Sequence, residues 1–143
     1  MQVHCPSTIT EALDIFERVR PSHFLAGGTT VNHRRWKLEG DLISLAGLGL
    51  TGIRISGGMC RIGAMTTLQQ VARCSDVAGA GLGLLCRSAA DLKRINVRNA
   101  ATIGGSVASN LGFSDMLPAL YALEAMVLVQ ERTKLKQRIH ATL

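Results

Sequence analysis

Long hydrophobic runs are missing from this 143-residue chain. Although 47% of its residues are hydrophobic, Gly, Ser or a charge interrupts each stretch before the roughly 20 apolar residues that cross a bilayer. The opening "MQVHCPSTIT" has neither the basic nor the apolar segment of a secretory signal. The expectation is a cytoplasmic protein that enters no membrane. Cysteine is scarce as well: Cys5, Cys60, Cys74 and Cys86 form no C-x-x-C pair, and no His stands at a ligand-like spacing from two of them. That excludes the common metal and cluster patterns and predicts free buried thiols in a reducing compartment. Aromatics are few: Phe16, Phe24, Trp36, Phe113 and Tyr121. None interleaves with a basic strand, as a platform for stacking nucleobases would require.

Positive charge is in surplus, with a formal net charge of +6. Three clusters carry it: Arg34, Arg35 and Lys37; Lys93, Arg94 and Arg98; and the segment from Arg132 to Arg138. Without stacking aromatics, nucleic acid is a poor match. A phosphate-bearing small ligand or an acidic partner subunit fits better, and a solvated surface is the bland alternative. His4, His23, His33 and His140 are scattered, and Glu11, Asp14 and Glu17 read as a solvated helix face, so no catalytic or metal-binding side chain is expected.

Patterning gives the elements. Thr8 with Glu11 has capping-box spacing ahead of Ala12, Leu13, Ile15, Phe16 and Val19, and Pro21 closes that helix. "HFLA" and "DLISL" read as buried strands around a second helix, a small parallel β-α-β unit. After residue 50 the pattern changes. Ile53–Ile55 and Cys60–Ile62 read as a hairpin through Gly57 and Gly58. Thr66 with Gln69 is a second capping pattern, "AGAGLGL" a glycine-rich break, and Leu84 to Leu92 a helix; Leu117 to Val129 forms a helix or a strand pair.

Glycine is plentiful, at 15 residues, and two segments share one design. "AGGTT" comprises Ala26, Gly27, Gly28, Thr29 and Thr30; "TIGGS" comprises Thr102, Ile103, Gly104, Gly105 and Ser106. Two readings stand. Each is a tight structural turn, or the pair cradles an anion, with φ > 0 at glycine and amides turned one way. Neither segment reads G-x-G-x-x-G, and no Walker lysine follows.

In order and spacing, "FLAGGTTV", "RIGAMTTLQQVA", "INVRNAATIGGSVASN" and "SDMLPALYALEA" resemble the FAD-binding subunit of molybdenum hydroxylases. That family includes the medium subunit of aerobic carbon monoxide dehydrogenases and the flavin domain of xanthine dehydrogenases. The resemblance implies an α+β, two-lobed FAD-binding fold of the PCMH type. A small parallel β-α-β lobe spans residues 1–50, and a larger, incomplete lobe of antiparallel strands and helices spans 51–143. FAD would lie between them, its pyrophosphate against Ala26, Gly27, Gly28, Thr29, Thr30 and Val31 on one side. Thr102, Ile103, Gly104, Gly105 and Ser106 would meet it on the other, with Asp115 as an acidic contact. Phe24 and Leu25 extend the first segment, and Leu92 matches an apolar position near the cofactor.

Family subunits are longer than this chain, so the resemblance also implies that residues covering the isoalloxazine ring lie outside it. The segment after Val129 is expected not to run into another hairpin. The implied partners are a molybdopterin-binding large subunit and a [2Fe-2S] small subunit, with NAD as a possible acceptor. The implied role is electron transfer from iron–sulfur centres through FAD. The competing reading is a degenerate assembly subunit of the same fold that does not retain FAD; another flavoenzyme on this fold, such as an enolpyruvoyl-sugar reductase, lacks its later catalytic residues here.

Random-sequence duplex DNA should therefore bind weakly at about 0.15 M salt and be released by more. Fluorescence anisotropy checks this, and sub-micromolar affinity would contradict the ligand reading of the basic clusters.

Overall fold

Thr8 starts the first helix. Its Oγ1 accepts from the Glu11 amide at 3.2 Å, while the Glu11 carboxylate accepts from the Ser7 amide at 2.8 Å. Helix α1 (Ile9–Arg18) follows, as the capping spacing predicts. The Ser7 amide and hydroxyl hold the Glu11 carboxyl below its ordinary value, so Glu11 does more than face solvent. The structure, a computed structural model, describes residues 1–31, 38–110 and 114–131 in full, and the backbone of 32–33 and 135–139. The cluster Arg34, Arg35 and Lys37 lies outside these residues, as does the backbone of 132–134.

Strands β1 (Val3–His4), β2 (Ser22–Leu25) and β3 (Asp41–Ser44) form a parallel sheet in the order β1-β3-β2. Helix α1 links the first two strands and packs on β2 and β3. Helix α2 (Thr29–His33) lies between β2 and β3 in sequence. Ala12, Leu42 and Ile43 are the buried apolar residues of this layer. Asp41 ties β1 to β3: one carboxylate oxygen accepts from the Gln2 amide at 2.8 Å, and the other bonds His4 Nε2 at 3.0 Å.

Beyond residue 50, β4 (Ile53–Ser56) and β5 (Met59–Ile62) form an antiparallel hairpin. Gly57 and Gly58 take φ of 56° and 73°, the two left-handed positions that the tightest hairpin turn demands. Helix α3 (Leu68–Ala72) is capped by Thr67 and Gln70, one residue later than the predicted Thr66 and Gln69. The reason is burial. Thr66 is 1% exposed, and its hydroxyl donates to the Gly52 carbonyl and accepts from the Gly52 amide. A hydroxyl already satisfied inside cannot cap.

Helix α4 (Ser75–Val77) runs through a π-type turn, kinked at Gly81 (φ 82°), into α5 (Gly83–Asp91). The predicted glycine break is thus a kink, not a loop. Helices α6 (Ile95–Ala100), α7 (Ile103–Ser109) and α8 (Met116–Ala122) follow. Strands β6 (Met126–Gln130) and β7 (Leu135–Ile139) close the described chain as an antiparallel pair. The segment from Leu117 to Val129 is therefore helix and then strand. The expectation of no hairpin beyond Val129 is corrected, because residues 135–139 form a strand that pairs antiparallel with β6. On β6, Met126 and Leu128 are 51% and 60% exposed.

One apolar cluster unites the helices: Val71, Val77, Leu85, Ala89, Ile103 and Met116 lie at its centre, with Ile53, Cys60 and Ile62 of the hairpin against it. Arg98, grouped with the basic surface above, belongs to this framework instead. Its guanidinium donates to the carbonyls of Ala90 (2.9 Å) and Leu92 (3.0 Å) and to Gln69 Oε1. It so satisfies the carbonyls that the end of α5 leaves unpaired. All four cysteines are free, but only Cys86 is buried and Cys5 is exposed, which corrects the expectation of four buried thiols. Burial pushes the Cys60 and Cys86 thiols up, so they stay protonated. No helix among the described residues is long and apolar enough to cross a membrane.

The Asp41 bridge sets a pH dependence. The bond from His4, then that from Gln2, hold its carboxyl below the ordinary 3.8. A depressed folded value stabilises the fold above the unfolded value, and that contribution is lost as pH falls through the folded one. Asp41→Asn should flatten the loss of stability below about pH 3.8, read by urea unfolding across pH. An unchanged slope would show that the bridge does not hold the sheet.

Candidate functional site

The two glycine segments meet. β2 ends at Leu25 and α2 begins at Thr29, so Ala26, Gly27 and Gly28 form the turn between them. Gly28 takes φ of 70°, a conformation that side chains disfavour. Gly27 lies against the last residue of α6, where a Cβ would collide with the Ala100 carbonyl oxygen. Ala26 is the other contact: its Cβ lies 3.9 Å from where a Cβ of Gly105 would sit. The absent side chain of Gly27 permits this backbone approach.

The second segment differs from its expectation. It is not a left-handed turn: Thr102 is an N-cap, and Ile103–Ser109 is helix α7. Gly104 and Gly105 are absent from the positive-φ positions. Their amides are not free either. Ile103 donates to the Thr66 carbonyl (3.0 Å), Gly104 to that of Ala64 (2.9 Å), and Ser106 to that of Thr102 (2.9 Å). Gly105 donates to Thr102 Oγ1 at 3.0 Å, and the Ser106 hydroxyl donates to the Thr102 carbonyl at 3.1 Å. Two tertiary carbonyls and the Thr102 cap thus take the amides that a helix start leaves unpaired. Gly104 is glycine for packing, since a Cβ would lie 2.7 Å from Ala64 Cβ.

The first segment is the opposite case. The amides of Gly27, Gly28 and Thr29 have no acceptor among the described residues. All of Ala26 to Val31 are half-buried, and Thr29 and Thr30 bring hydroxyls to the same turn. Partly buried donors without acceptors are what an incoming anion needs.

The remaining predicted residues are more dispersed. Asp115 is exposed at the N-cap of α8 without bonding its helix, and α8 packs on α7. Leu92 packs against the helical core, and Arg98 takes its carbonyl. Phe24 stacks on Phe16 at 4.7 Å between ring centroids, and the Leu25 carbonyl accepts from Leu45. Ala64 and Ala100, which receive the glycine segments, were not singled out from sequence, and Thr66 was read only as a helix cap. Their signal was faint: small residues beside each capping threonine.

Known proteins share this fold. The sequence profile of the family described as FAD binding domain in molybdopterin dehydrogenase matches residues 1–142. An uncharacterized Escherichia coli K12 protein, YgfM, is 31% identical over 122 residues, covering 84% of this chain and 46% of that protein. A carbon monoxide dehydrogenase structure from Hydrogenophaga pseudoflava, lacking the Mo-pyranopterin moiety of its cofactor, superimposes with a TM-score of 0.90 at 27% identity. It covers 96% of this chain and 49% of that one. Quinoline 2-oxidoreductase from Pseudomonas putida 86 has the same fold, with a TM-score of 0.90, 22% identity and coverage of 96% and 50%. The chain spans about half the length of the relatives it matches.

The tight seat of Gly104 is testable. Alanine would gain up to about 1 kcal/mol in helix propensity, but the clash with Ala64 should outweigh it and leave a net loss of about 1–3 kcal/mol. Gly79→Ala, where a Cβ meets nothing within 4 Å, should be neutral or stabilising. Urea unfolding of both variants checks this; equal effects would refute the packing role.

Proposed function

The chain belongs to the FAD-binding family of molybdopterin dehydrogenases, and from that premise we propose that it serves in electron transfer within a molybdenum hydroxylase. Electrons would come from the [2Fe-2S] centres of a small subunit, fed by a molybdopterin-binding large subunit, and would leave to an acceptor such as NAD. FAD, when bound, supplies the redox chemistry. The protein's part is to hold and orient it, a role that needs no side chain of this chain as acid or base.

One observation supports this reading above the rest: the two glycine segments lie side by side, and the first offers unpaired amides. Gly27, Gly28 and Thr29 would donate backbone N–H groups to a diphosphate, with the hydroxyls of Thr29 and Thr30 adding two donors. Ala26 and Val31 flank that turn. Thr102, Ile103, Gly104, Gly105 and Ser106 would form the opposite wall; their amides already have partners, so they shape the wall more than they bind. Asp115 would approach from α8 as an acceptor for a cofactor hydroxyl. The lobe division at residue 50 belongs to this proposal, resting on the parallel sheet before it and the helical core after it.

The same amide accounting favours a second reading on one point. A clamp with free donors on one side only holds a diphosphate less firmly than a two-sided one, which suits an assembly subunit without FAD. Titration with FAD, followed by flavin fluorescence and absorbance, separates the two. Electron transfer requires saturable FAD binding by the wild type. Gly28→Val, which strains φ at 70° and fills the turn, should weaken binding at least about tenfold. Gly105→Val should do the same by pushing the segments apart. No binding by the wild type would leave the assembly reading, and unaffected variants would place FAD elsewhere.

A further inference from the structure

Strands β4 and β5 set two arginines face to face. Arg54 is the register partner of Arg61. Alternation sends Ile53, Cys60 and Ile62 to the core and leaves both arginines exposed on the outer face. Like charges directly opposite each other destabilise an antiparallel pair. No carboxylate relieves this one: neither Arg54 nor Arg61 has an ion-pair partner among the described residues. Arg98, by contrast, is fully engaged with carbonyls and a glutamine of its own chain.

The arginine pair borders a groove of about 340 Å3 that Gly49, Thr51, Gly52 and Gly63 also line. Its floor is bare and firmly held. At Gly49 and Gly52 a Cβ would meet nothing within 4 Å, so space stands open above the backbone. Beneath, the Gly63 amide donates to the Gly52 carbonyl at 2.9 Å, and the Met65 amide to that of Leu50 at 2.7 Å. The buried Thr66 hydroxyl pins both polar backbone groups of Gly52. Two unpaired guanidinium groups therefore rise from a well-bonded strip beside a hollow lined by three glycines, Thr51 and Ile62.

We infer that this groove binds the phosphoryl group of a small phosphorylated molecule, held between Arg54 and Arg61. The choice over a carboxylate follows from valence. Each guanidinium presents a planar fork of donors. A carboxylate has two oxygens and one charge, enough for one fork. A phosphoryl dianion has three terminal oxygens, which can accept from both forks and offset both charges. The hollow is large enough for part of the attached molecule. None of the groove's lining residues belongs to the glycine segments, and the proposal does not depend on the flavin reading.

Titration of the 15N-labelled chain tests it, with inorganic phosphate as probe and acetate and chloride at matched ionic strength as controls. Phosphate should shift the amides of Gly52, Arg54, Arg61 and Gly63 saturably, with the controls leaving them nearly in place. Arg54→Gln and Arg61→Gln should each weaken phosphate at least about tenfold, while the same spectra report whether the hairpin is kept. FAD binding by the double variant should match the wild type. Equal shifts in all three salts, or saturation that survives the double variant, would overturn the proposal. So would tighter binding of a polyglutamate peptide, which would make this a protein-docking face. Loss of FAD binding along with phosphate would merge the groove with the cofactor site and overturn its separateness.

Discussion

Everything at the candidate site depends on one backbone contact, Gly27 against the carbonyl of Ala100. A turn after the second strand of a parallel sheet can touch the end of a helix in the other half only if no Cβ intervenes. That approach brings Ala26 to Gly105 and fixes how far apart the two glycine segments stand. It also sets which groups remain for a ligand. The helix side of the contact has used its amides on Thr66, Ala64 and Thr102, and the turn side has kept its own. The asymmetry has a simple origin. A helix start packed into a core must satisfy its donors internally, because a buried N–H without a partner is costly. A turn at the surface can leave them for water or a ligand.

Much of this was legible. Thr8 and Glu11 announced α1, Gly57 and Gly58 the hairpin, and the two apolar strands around α2 the parallel layer, because each rests on rules confined to a few neighbouring residues. The glycine segments were legible as a pair for the same reason. What they do was only half legible. "IGGSVAS" has low intrinsic helix propensity, with two glycines costing about 1 kcal/mol each, and by that measure it reads as a turn. It is a helix because Thr102 caps it, Ile103 buries itself, and two distant carbonyls take its first amides.

The same distinction explains the misplaced cap and the misread arginine. Thr66 and Thr67 are equivalent in a capping pattern, and burial beside Gly52 decides between them. Arg98 sits in a basic run, and only the end of α5, folded back beside it, shows that its charge is used inside the chain. Arg54 and Arg61 look unremarkable seven residues apart; pairing β4 with β5 makes them neighbours. Local rules identify elements, whereas the fate of a donor or a charge depends on residues far along the chain.

The order β1-β3-β2 has a consequence in time. The last strand of the sheet is its middle one, so β1 and β2 share no bonds and are joined only through residues 41–44. During synthesis, which proceeds from the N-terminus, neither earlier strand can find a partner until Asp41 to Ser44 have emerged. Both pairings then become possible, and Gln2 and His4 bond Asp41 across nearly forty residues of chain. Loop closure of that length precedes any reward from pairing. Formation of the parallel sheet thus waits on its central strand, while the β4–β5 hairpin needs only its own ten residues, Ile53 to Ile62, to form.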